Sequence, residues 1–192
     1  MWSAPVTLTP PAREPVTIDE AKEFLVIEAE EVLYDQLLAR FITAARMQVE
    51  AMTGTRLVPQ TVRVMASGWP DLMSLPIGPV SAVTALEWQD TDGVWQILDT
   101  AIYQLAAAGL TAMIGLKPRQ HFPYGLRRVD DAISVTLEVG YDPVPEPIRT
   151  AILIMVADLY AQRESFVLGT IAAKVPTSMQ VDTLLANYRI WL

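Results

Sequence analysis

At 192 residues the chain has the size of one domain, or of one domain carrying an insertion. Hydrophobic residues make up 52% and charged residues 19%, which excludes global disorder, and the lack of cysteine excludes disulfides, thiolate nucleophiles and Cys-bound metals. With 14 Lys and Arg against 22 Asp and Glu the net charge is −8, so the basic footprint of a general nucleic-acid binder is missing.

The opening Met1-Trp2-Ser3-Ala4-Pro5 lacks the basic start and apolar run of a signal peptide, and none is expected. Pro5, Pro10, Pro11 and Pro15 make residues 1–16 a proline-rich extended arm. Thr17-Ile18-Asp19-Glu20 has the form of a capping box that opens a short helix through Phe24-Leu25. Its acidic first turn suits the positive end of the helix dipole. Tyr34, Leu38, Phe41, Ala45, Val49 and Met52 recur at spacings of four and three and predict a helix over 31–52. Leu37 and Ile42 widen that stripe; Arg40, Arg46, Gln48 and Glu50 lie mostly off it. Gly54 is placed to end the helix in a left-handed conformation.

From Pro59 to Tyr141 the period changes to two. Thr61-Val62-Arg63-Val64-Met65 alternates as a strand does, and residues 80–88 form a longer candidate. Asp90-Thr91-Asp92-Gly93 is a turn that returns the chain through Val94-Trp95-Gln96-Ile97. Tyr103-Gln104-Leu105 and Met113-Ile114-Gly115-Leu116 form a further pair. Ile133, Val135, Leu137 and Val139 alternate with Ser134, Thr136 and Glu138, giving one apolar and one wet face. Pro147 then fits the first turn of a second long helix, with Ile148, Ile152, Met155, Val156 and Leu159 inward. Its apolar stretch, residues 151–157, is too short for a bilayer, so no membrane is expected as a partner.

The expected fold class is α+β: a helical bundle of two long helices and a short N-terminal one, an inserted antiparallel β subdomain, and an extended C-terminal tail. The corresponding segments are the arm over 1–16, one domain over 17–164 with its β insertion at about 59–141, and a docking tail over 165–192. That tail closes on Tyr188-Arg189-Ile190-Trp191-Leu192, the residue types that anchor interfaces. It either folds back on its own domain or docks on another subunit.

Catalytic signatures are weak throughout. His121, the one histidine, lies in a loop without a recognisable Ser or carboxylate partner. Glu28, Glu30, Glu31 and Asp35 cluster, yet no Asp-x-Asp-x-Asp-Gly loop accompanies them, and a solvated helix start explains them. No phosphate-cradling glycine motif occurs. Lys117, Arg119, Arg127 and Arg128 form the one basic concentration, read first as a solvated loop and otherwise as a site for an acidic neighbour or nucleic-acid backbone. Of Trp69, Trp88 and Trp95, two are expected in a core and one exposed. No catalytic residue, cofactor or metal is assigned.

One ordered series of short motifs runs through the chain. It comprises Pro15-Val16-Thr17-Ile18-Asp19-Glu20-Ala21-Lys22, then Ala44-Ala45-Arg46-Met47-Gln48-Val49-Glu50-Ala51-Met52-Thr53-Gly54-Thr55-Arg56-Leu57 with Gln60-Thr61. Leu75-Pro76-Ile77-Gly78-Pro79-Val80, Asp92-Gly93, Gly140-Tyr141, Val144-Pro145, Ile148, Tyr160 and Arg163-Glu164 follow, and then Leu184-Leu185 with Tyr188-Arg189. This series resembles the head–tail connector (adaptor, or head-completion) proteins of long-tailed bacteriophages, including prophage and gene-transfer-agent versions.

The resemblance implies a virion structural protein of the particle neck, made in the bacterial host cytoplasm. It implies a homo-oligomeric ring, dodecameric like the portal, bound under the portal protein at the DNA-exit vertex. The ring extends the channel for double-stranded DNA, without sequence-specific binding, and offers a platform to a neck or tail-completion protein. The family's C-terminal segment reaches the portal; Leu184, Leu185, Tyr188 and Arg189 are the matching residues here. Ile190, Trp191 and Leu192 join these portal-docking candidates on their chemistry alone. Deleting residues 176–192 is expected to leave a folded chain that no longer attaches. The alternatives are a tail-side neck or tail-terminator ring protein, a carboxylate- or metal-dependent hydrolase, and a small-ligand module using the tryptophan-bearing β region.

Overall fold

The computed structural model describes residues 1–162 and 179–190, and the chain falls into two compact units. The first holds Met1–Ala12, Gly54–Asp142 and the C-terminal Ile190. Its strands are β1 (Val6–Thr9), β2 (Gln60–Ala66), β3 (Val80–Gln89), β4 (Trp95–Ile97), β5 (Tyr103–Ala108), β6 (Thr111–Leu116) and β7 (Ile133–Val139). Five of them form an antiparallel sheet in the order β1-β2-β7-β3-β4, and β5 and β6 make a separate hairpin.

The central strand is β7, which explains its composition. Val135 stands between Val64 of β2 and Leu86 of β3, and all three side chains are fully buried. Burying each such side chain stabilises the fold by about 1.5–3 kcal/mol. Tyr103, Ala112 and Ile114 of the hairpin join the same core. The face expected to be wet is only partly so: Glu138 is exposed, whereas Ser134 is buried.

The expected hairpin turn at Asp90 is held by its carboxylate. Oδ1 accepts from the backbone N–H groups of Asp92 and Val94, both at 3.0 Å, and Oδ2 accepts from Gln96 Nε2 at 2.9 Å. Gly93, at φ 81°, supplies the left-handed residue the turn needs. The N-terminal arm is extended, as its prolines dictate, but it is not free. Its proline-free stretch pairs Val6 with Arg63 and Thr7 with Val62, making an edge strand bracketed by Pro5 and Pro10.

The second unit holds Arg13–Thr53 and Pro143–Arg189. Among its described residues are α1 (Ile18–Leu25), α2 (Asp35–Thr53), α3 (Glu146–Gln162) and α4 (Met179–Leu185). The capping box is present in full: Thr17 Oγ1 accepts from Glu20 N at 3.2 Å, and Glu20 Oε2 accepts from Thr17 N at 2.7 Å. The class is therefore mixed α+β, with four described α-helices and antiparallel sheets.

Three expectations need correction here. First, α2 begins at Asp35 rather than 31, because Lys22 Nζ ties its first residue at 2.7 Å and also reaches Ala29 O at 3.0 Å, shaping 26–34 as a connection. Second, the buried face of α2 includes Arg46 and Glu50, while Phe41 and Met52 are only half-buried. Third, the tail is not extended over 179–188: it forms α4 and then a 3-10 turn, Ala186–Tyr188. Val181 and Leu185, one helical turn apart, are buried and give that short helix its inner side. Of the inward residues expected on α3, Ile148, Ile152, Met155 and Val156 are buried and Leu159 is exposed.

Candidate interaction surfaces

The residues with potential for chemistry are dispersed. His121 is exposed, its ring 5.8 Å from that of Tyr124. Asp35 is engaged by Lys22, Glu31 Oε1 accepts from Leu33 N at 3.1 Å, and Glu28 and Glu30 face solvent. Among the described residues no group of three or more acidic or imidazole side chains could hold a metal ion. Trp69 stacks on Phe122 at 4.5 Å with the rings 2° from parallel, and lies 6.0 Å from Trp88. These rings pack on the β core, and Trp95 on the edge strand β4 is the exposed one. Two of the four basic loop residues are committed locally: Lys117 Nζ donates to Thr100 O at 2.9 Å and Arg127 Nη1 to Gln89 Oε1 at 3.1 Å. Arg119 and Arg128 are exposed.

At the C-terminus the docking candidates divide into anchors and accessible groups. Leu185 is fully buried in its own unit, so it holds α4 in place. Leu184 is half-buried and lines an open apolar groove of about 410 Å³ with Ile154, Met179, Gln180 and Thr183. Thr183 Oγ1 donates to Met179 O at 2.7 Å, and Arg189 Nη2 pairs with Asp182 Oδ1 at 2.6 Å, tying the 3-10 turn back to α4. Tyr188, Arg189 and Ile190 are half-buried. A Cβ placed on Gly54 would lie 3.7 Å from Ile190 Cβ, and one on Gly78 would lie 3.5 Å from Ile190 Cδ1, so Ile190 rests on two glycines of the β unit. Trp191 and Leu192 lie outside the described residues.

Motif reasoning passed over a second surface. In the connection between α1 and α2, Val26, Val32 and Leu33 are 93%, 69% and 73% exposed. The available signal was Val26, Ile27, Val32 and Leu33 set around three glutamates at no helical or strand period.

No family model and no curated protein matches the chain. Solved structures do. A chain in the neck of an empty GTA particle, computed with C6 symmetry, has a TM-score of 0.76 at 20% identity, covering 99% of this chain and 97% of that one. This chain has the fold of a particle-neck chain. A chain in the virion of a native gene transfer agent particle gives a TM-score of 0.74 at 20% identity, again over 99% and 97%. A third, in the neck of a native GTA particle computed with C12 symmetry, gives 0.71 at 21% identity over the same shares. The neck-chain fold spans both units rather than one of them. Neck chains are the neighbours that the resemblance to head–tail connectors predicts.

Proposed function

We propose that this chain is a structural, non-catalytic subunit of the neck of a phage-like particle. In this reading it is a head–tail adaptor, a homo-oligomeric ring under the portal protein that extends the DNA channel and seats the next neck or tail component. The observation that carries it is the fold shared over 99% of the chain with neck chains solved under C6 and C12 symmetry. A cyclic ring requires two different complementary surfaces on one chain. In the ring α2 and α3, the longest helices, supply the body, and the segment from Leu184 through Tyr188 and Arg189 to Trp191 and Leu192 meets the portal. Leu185 acts as the internal anchor of that segment. A net charge of −8 supports a channel that passes double-stranded DNA without gripping it.

The test is to mix the purified chain with the portal ring from the same gene cluster and image the product by electron microscopy. An added ring of density at the portal's narrow outward end is the expected outcome. Bare portals at high chain concentration would overturn the adaptor reading in favour of a tail-side neck protein.

A further inference from the structure

Two exposed loops of opposite charge stand out once the fold is known. The connection from α1 to α2, residues 26–34, carries Glu28, Glu30 and Glu31 and no basic residue. The first part of the loop between β6 and β7, residues 117–129, carries Lys117, Arg119, Arg127 and Arg128 and no acidic residue. Each loop also presents apolar surface to water. Val26, Val32 and Leu33 do so on the first, and on the second Tyr124 is 89% exposed with Val129 beside the arginine pair.

Backbone conformation marks the same places. Val26 has φ 58° and Arg119 has φ 64°, two of the three non-glycine left-handed residues among those described. A β-branched residue is strained there, because Cβ crowds the following carbonyl. The turn itself is an ordinary left-handed helix end, with Val26 N donating to Glu23 O at 3.2 Å and Ile27 N to Lys22 O at 2.9 Å. Glycine or asparagine would close that turn with less strain. Folding of the single chain therefore gains nothing from a valine held in this conformation with its side chain in solvent.

We propose that neighbouring copies of this chain join through these two loops, the acidic connection at 26–34 of one copy meeting the basic loop at 117–129 of the next. The partner is a second copy because the chain carries both signs of charge, each interleaved with exposed apolar residues. Such a contact is heterologous, as ring closure demands, and the charges select register and suppress like-to-like pairing. The inference rests on the ring reading above and adds the surfaces that make the ring.

The test uses the full chain, alone and with the portal ring, with ring formation followed by mass photometry and electron microscopy. Glu28→Lys with Glu30→Lys, and separately Arg119→Glu with Arg128→Glu, should each weaken ring formation by more than about tenfold. All four side chains are exposed, so melting temperature should hold in both variants. The chain carrying all four reversals should recover assembly. Val26→Asn should raise the melting temperature while weakening the ring, a combination that a purely structural role for Val26 would not produce. If the wild-type chain forms rings and both charge-reversed chains form them equally well, the loop pairing is overturned and the adaptor reading stands. Folded double variants that fail, with no recovery in the fourfold variant, would overturn the pairing of these two loops with each other. A wild-type chain that forms no ring in either setting would overturn both readings.

Discussion

Arg46 shows how a residue that looks peripheral by spacing is drawn into the core. It stands off the apolar stripe of α2, yet Nε donates to Glu14 Oε2 at 2.7 Å and Nη1 to Glu50 Oε2 at 3.1 Å. Thr43 Oγ1 completes the group by donating to Glu14 Oε1 at 2.9 Å. Truncation would remove one ion-pair partner from the buried Glu50 and another from Glu14. Arg46→Ala should therefore lower stability by about 3 kcal/mol, read from the urea midpoint at constant slope. Glu20 carries a pH-dependent share of the fold. The Thr17 backbone N–H holds its carboxyl below the usual 4.5, outweighing partial burial, and the Arg149 guanidinium adds to the effect. A depressed folded value means the contribution is present above 4.5 and lost as pH falls through the lowered folded value. Thermal melts from neutral pH to about pH 3 should show a smaller acid loss for Glu20→Gln than for the wild-type chain; equal losses would remove Glu20 from the account.

At the level of elements, strands and turns were legible because their signals are local. Alternation announces itself within a few residues, and Asp-x-Asp-Gly turn chemistry marked the hairpin before β4. The capping box located α1 for the same reason. The seven residues of α4 escaped because a helix under two turns has too few positions for a period to emerge. Gly140, read as one motif residue among many, has a definite physical task after β7. It adopts φ 117°, and a Cβ there would come within 2.3 Å of Val58 O. Both the backbone region and the space exclude a side chain, so Gly140→Ala should destabilise the β unit by at least about 2 kcal/mol. Calorimetry would show it as a lowered melting temperature, and an unchanged melt would place the strain elsewhere.

For the molecule as a whole, the C-terminal segment changes role. Sequence reasoning made residues 176–192 an appendage whose loss leaves the fold intact. In the structure Val181 and Leu185 are buried, each contributing about 1.5–3 kcal/mol, so part of this segment belongs to the core. Deleting residues 176–192 should therefore reduce unfolding free energy by about 3–6 kcal/mol, measured by chemical denaturation, as well as removing any docking function. A truncated chain as stable as the parent would return the segment to the surface.

Composition, capping, alternation and turn residues by themselves determined that the chain is α+β, where most elements lie, and which motif series it carries. Those features depend on neighbours within a few positions along the backbone. Tertiary structure alone decided that β7 enters between β2 and β3, pairing Gln60 with Val139 and Val80 with the same residue. It also decided that Glu14 reaches into α2, that Leu185 points inward and that Val26 points outward. Each of these depends on which distant segment comes to cover a side chain, and burial of that kind is a property of the packed chain, not of the local pattern.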